Sequence, residues 1–251
     1  MLVYHQSRPS GSFISYGTLS DKSEYFSLKR AMMKRNIMPI KAVAQAVFFV
    51  TTALLIGFFK CSFIVGSFSG FFSGINTVVP LAGCFGGGFG ALGFGCLRAL
   101  KFVFFGGGLS YALLANCVPG LFAGLYWSHN GLLTRVLIPL LCMVLFVVHP
   151  VGGQAFAYSL YWLIPVAFYV SGKNNLFFTA LGSTFTAHAV GSVIWLYAMP
   201  MAPVVWYGLI PVVAIERVLF ATSIVAMHNV ISMAFRYISK SLKIRILAPI
   251  N

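Results

Sequence analysis

Carboxylates are nearly missing from this chain. Its 251 residues include three acidic side chains, Asp21, Glu24 and Glu216, and the first two stand near the N-terminus. With one carboxylate beyond residue 24, a site built on paired carboxylates is excluded from the rest of the chain. Charge of either sign is sparse, at 8% of residues, where an average soluble domain carries about 25%. Such a chain cannot cover a water-facing surface. With 59% hydrophobic residues, most of it must take lipid as its solvent. Short alternating segments of about 10 residues, the mark of a membrane β-barrel, are also lacking, since the apolar runs last about 16–25 residues. The expected fold is all-α, a polytopic transmembrane helix bundle.

Other absences narrow the function. No HExxH, GxSxG, CxxC or Walker pattern occurs, so protease, lipase, redox and ATPase chemistry have no anchor and no enzyme activity is expected. The five cysteines, Cys61, Cys84, Cys96, Cys117 and Cys142, lie in or beside apolar runs and read as small packing residues. Neither a metal nor a cofactor follows from them. Residues 1–36 lack the apolar core of a secretory signal and are Ser-rich, polar and basic.

What charge there is has a pattern. The formal net charge is +14. Lys22, Lys29, Arg30, Lys34, Arg35 and Lys41 precede the first apolar span, and Arg236, Lys240, Lys243 and Arg245 follow the last. Basic residues flanking spans fix topology, which places both termini in the cytoplasm of a multi-pass cell-membrane protein. The same clusters can touch anionic headgroups. A nucleic-acid partner is not expected, because no polar domain interleaves aromatic and basic residues. The expected organisation is a polar, basic tail over 1–38, a helical membrane domain over 39–238 and a basic tail over 239–251.

The spans read as Ala42 to Phe59, Val103 to Trp127, Leu137 to Val148, Ala155 to Ser171, Leu176 to Met199 and Val204 to about Phe235. Ser62 to Cys96 carries glycine every few residues, which disfavours one straight helix. It reads either as two packed spans or as a re-entrant hairpin whose irregular backbone is buried in protein. The total is six full spans plus that hairpin, or eight spans, and even parity keeps both basic ends on one side. Arg135 and Lys173 then fall inside, while Lys60, Arg98 and Lys101 fall in outer connections.

Three groups can carry chemistry. Glu216 is the one carboxylate of the membrane region and Arg217 follows it. At mid-membrane depth such groups cost at least about 2.5–3.5 kcal/mol and face a bundle interior or cavity. Adjacent helical residues point about 100° apart, so each is expected to find its own partner. Thr184, His188 and Ser192 recur at four-residue steps on one helix face. His188 could bind a ligand, relay a proton or pair with Glu216, or it could donate a plain interhelical hydrogen bond. Gln154, Tyr158 and Trp162 share a third face, suited to a flat organic molecule or to an interfacial aromatic belt. Trp206 joins them as a candidate, and Asn76 is an isolated intramembrane amide.

Asn76–Ala91 reads NTVVPLAGCFGGGFGA, and Ala42 and Ala46 form an AxxxA pair on the first span. This resembles the substrate-binding S components of energy-coupling factor (ECF) vitamin transporters. Those proteins have an apolar Pro-Leu-Ala-Gly stretch before a Gly-rich run, and a small-residue face toward their transmembrane partner. The resemblance implies about six helices, cytoplasmic termini and capture of a vitamin from the outer side. It also implies a coupling transmembrane subunit with ATPase subunits as partners. Glu216, His188, Gln154, Tyr158, Trp162, Trp206 and Asn76 are the expected substrate contacts, and Ala42 and Ala46 the partner interface. A proton-coupled secondary transporter would use Glu216 or His188 as its proton carrier, although no internal repeat supports one. A non-catalytic membrane scaffold would need only the Gly-rich packing faces.

Overall fold

The computed structural model describes residues 75–105 and 111–241. The expected first span with Ala42 and Ala46, the N-terminal tail and the last ten residues lie outside the described residues. Every described element is helical. They are α1 (Ile75–Phe105), α2 (Tyr111–Ser128), a π-turn (Leu133–Leu137) running into α3 (Ile138–Val148), and α4 (Pro150–Gln154). A 3₁₀ segment (Phe156–Trp162), α5 (Leu163–Val170), α6 (Leu176–Ala198) and α7 (Pro203–Ser241) follow.

The glycine run does break the helix. Gly87 takes φ 61° and ψ −158° inside α1, a region essentially closed to residues with a Cβ. The neighbours show what the break does. Before it, Val79 meets Gly120 and Gly83 meets Gly124, so the two helices number in the same direction. After it, Ala91 meets Gly124, Gly95 meets Leu121 and Arg98 meets Gly120, in the opposite direction. A Cβ on Gly90 would strike the carbonyl of Ala82, whereas residues eight apart in a straight helix stand about 12 Å apart. The chain therefore doubles back at Gly87, and both arms of α1 lie along α2.

One expected span is corrected. Val103 to Trp127 is not one helix, since 103–105 belong to α1 and the next helix begins at Tyr111. Arg98 and Lys101 accordingly sit within α1 instead of in a connection.

Two apolar cores result. One joins Val78, Leu81 and Phe85 of α1 to Ala221, Ile224 and Ile231 of α7. The other joins Phe146, Tyr158, Trp162, Phe185 and Trp206. Helix α6 serves both, contributing Ala180 to the first and Phe185, Ala189 and Leu196 to the second. The exterior is apolar as well, with Phe89 91% exposed and Val170 80% exposed, an arrangement compatible with lipid and unfavourable in water. Among the described residues, three helices have the length and apolar composition to cross a membrane, Asn76–Phe104, Leu176–Ala198 and Pro203–Tyr237, the first of them reaching that length only across the reversal at Gly87.

Candidate functional site

The second core gathers most of the expected site residues. The loop after α3 is drawn tight by small residues: a Cβ on Gly152 would strike the carbonyl of Phe146. His149 caps the short helix α4, its Nδ1 accepting the Val151 amide at 3.2 Å. At Ala155 the backbone leaves helical geometry (φ −111°, ψ 29°) and re-enters as a 3₁₀ segment. This break rotates the chain. Tyr158, Ser159 and Trp162 turn inward, while Gln154 is exposed and donates to the Pro150 carbonyl at 3.2 Å. Gln154 thus does not share a face with Tyr158 and Trp162, because the stretch is not one continuous α-helix.

The buried rings close on one another. The Phe146 ring lies 5.6 Å from Tyr158, 5.2 Å from Trp162 and 5.1 Å from Trp206, centroid to centroid. Tyr158 and Trp206 are 5.0 Å apart. Edge-to-face pairs of this kind add about 0.5–1.5 kcal/mol each beyond burial. The Tyr158 hydroxyl lies 2.8 Å from His188 Nε2 and 3.2 Å from Ser192 Oγ. His188 and Ser192, one turn apart on α6, are themselves 3.5 Å apart. One tyrosine thus joins the 3₁₀ segment to α6 through a three-membered polar cluster.

Beside it lies the ion pair. Arg217 Nη2 donates to Glu216 Oε2 at 3.0 Å, with the two side chains 15% and 18% exposed. The expectation that these neighbours cannot pair is overturned. Their long stems span the 100° between them, and one hydrogen bond joins them, while the Arg217 Nε–H stays buried without a partner. The guanidinium also lies 4.8 Å from the Phe220 ring centre.

Two donors in this core have no acceptor. The indole N–H groups of Trp162 and Trp206 are buried and unpartnered, although an orphaned buried donor costs about 1–3 kcal/mol. A cleft of about 350 Å³, lined by His149, Tyr197 and Met199 among others, approaches the core. Its residues Val151, Leu196 and Met201 belong to or pack against the ring cluster. Asn76 is not part of this grouping. It stands in the first turn of α1, next to the residues of the other core.

Sequence reasoning missed a second polar grouping. His228 lies between Phe85 (5.3 Å, 23°) and Trp127 (6.1 Å, 22°), and Trp127 donates its indole N–H to Ser183 Oγ at 3.0 Å. The signal was available, since a histidine deep in an apolar helix needs a reason. Among the described residues, no three His, Cys, Asp or Glu side chains gather as a metal site requires.

No protein-family model matches the chain, and neither a curated protein nor a solved structure matches it.

Proposed function

We propose that this is a multi-pass cell-membrane protein that captures a small organic molecule for uptake, as the substrate-binding subunit of an ECF-type vitamin or micronutrient transporter. The observation that carries this reading is the pair of orphaned indole donors, Trp162 and Trp206, beside the Tyr158–His188–Ser192 cluster. An apolar bundle has no structural need for two unpaired N–H groups against a tyrosine, a histidine and an ion pair. A flat molecule bearing carbonyl or carboxylate acceptors would satisfy both indoles and stack on the rings. The cleft at His149 and Met199 supplies its entry.

Glu216 and Arg217 then serve as the polar end of the site, offering one acceptor and one donor group. With no nucleotide motif of its own, the chain would draw energy from ATPase subunits through a coupling membrane subunit. The basic flanks support a cytoplasmic position for both termini.

The test is thermal unfolding of the purified protein in detergent against vitamins and related metabolites. A ligand that binds the folded state raises the midpoint in proportion to the logarithm of its concentration. The expected result is a rise with one compound, without any ion gradient, that is lost in Glu216→Gln and Tyr158→Phe. Failure of every compound to shift a folded sample would favour a scaffold. Transport by the protein alone in liposomes, abolished in Glu216→Gln, would favour a proton-coupled carrier.

A further inference from the structure

A buried arginine stands apart from the site above. Arg135 is 5% exposed and Thr134 before it 7% exposed, both within the π-turn that links α2 to α3. The π-turn explains the pair. Its wide loop, closed by the Ile138 N–H on the Leu133 carbonyl, carries two consecutive side chains into the interior. Arg135 Nη1 donates to Asn174 Oδ1 at 2.8 Å, and the guanidinium carbon sits 4.6 Å from the centre of the Tyr126 ring. Its Nε–H has no partner, and neither has the Thr134 hydroxyl.

The charge has no matching anion among the described residues. The chain has three acidic residues, and Glu216 is bonded to Arg217 on α7, while Asp21 and Glu24 lie outside the described residues. A guanidinium buried with one hydrogen bond and one ring face is far from compensated. Two orphaned donors on consecutive residues, one of them part of the cation itself, are the elements of an oxyanion site. Lys173, next to Asn174 and exposed, adds a second positive charge at the same end of the bundle.

We propose that Arg135 and Thr134 bind a phosphate group, the Arg135 Nε–H and the Thr134 hydroxyl each donating a hydrogen bond to its oxygens. The group belongs either to an anionic phospholipid, for which basic pockets between membrane helices are suited, or to a soluble phosphate. The site is independent of the substrate reading, since it shares no residue with the ring cluster.

The experiment uses the full chain in a neutral detergent free of phospholipid. Its unfolding midpoint is followed against inorganic phosphate, with chloride as control, and against phosphatidylglycerol, with phosphatidylcholine as control. Wild type should be stabilised by phosphate, phosphatidylglycerol or both, and by neither control. A response to phosphate alone identifies a soluble anion, and a response to phosphatidylglycerol alone identifies a headgroup. Arg135→Lys keeps the charge but lacks the Nε donor, and Thr134→Val removes the hydroxyl at nearly constant volume. Each should weaken the response at least about tenfold, the value of one charge-assisted hydrogen bond. No stabilisation of wild type by either probe, or an equal response in both variants, would overturn the proposal.

Discussion

Along α1 and α2 backbone meets backbone, whereas around Phe146 ring meets ring. In the first region glycines let helices approach until side chains no longer intervene: Gly83 against Gly124, Gly90 against Ala82, Gly124 against Ala91. In the second, four buried rings and a tyrosine hydroxyl do the joining. The contrast follows from the solvent. Lipid gives helices no hydrophobic reason to associate, so they are held by close van der Waals packing or by polar contacts. The glycine seam uses the first means and leaves no room for anything else. The ring core uses both, and in doing so leaves two indole donors unsatisfied. Close backbone packing belongs to the seam, and unsatisfied polar groups to the rings.

The largest way to break this comparison is Gly83→Ala. The new Cβ would fall on the Gly124 carbonyl, and backbone cannot yield as a side chain can. A loss of about 3 kcal/mol or more is expected, seen as a lowered unfolding midpoint or failure to recover monodisperse protein. Gly87→Ala should follow at about 2 kcal/mol, since an L-residue is strained at φ 61°. Its readout is the same midpoint, and an unchanged value would argue against the hairpin turn. In the ring core the stability effects are smaller. Tyr158→Phe removes the hydroxyl shared by His188 and Ser192 and should cost about 1 kcal/mol while abolishing ligand-induced stabilisation. Smallest of all is Gly93→Ala. Nothing lies within 4 Å of its added Cβ, so stability should hold or rise by up to about 1 kcal/mol through helix propensity. A destabilising Gly93→Ala in denaturation curves would mean that the seam is wider than described.

Much of this was legible in the residues. Scarcity of charge predicted an all-helical apolar bundle, and the glycine run predicted that Ser62 to Cys96 would not be one straight helix. The reversal at Gly87 agrees with the broken helix over the described part, 75–96, and fits packed spans and a hairpin alike, while the share before Ile75 lies outside the described residues. The site was legible in part. Tyr158, Trp162, Trp206 and His188 do come together. Gln154 was misplaced because a four-residue period was read as continuous α-helix, whereas the chain passes from α to 3₁₀ at Ala155. The pairing of Glu216 with Arg217 was missed because a projection angle says nothing of side-chain length. Arg135 was read only as a topological charge, since nothing in a sequence marks a π-turn.

Indole emission tests the central claim most directly, because three of the chain's four tryptophans divide between the regions, while the exposed Trp195 is common to every variant. Trp127 bonds Ser183 beside the seam, and Trp162 and Trp206 stand in the ring core. Emission would be read across a panel of vitamins in wild type, in Trp127→Phe and in the Trp162→Phe/Trp206→Phe double variant. The account predicts that at least one compound changes the emission of wild type and of Trp127→Phe but not of the double variant. Emission unmoved by every compound, or a change that disappears with Trp127 instead, would contradict it.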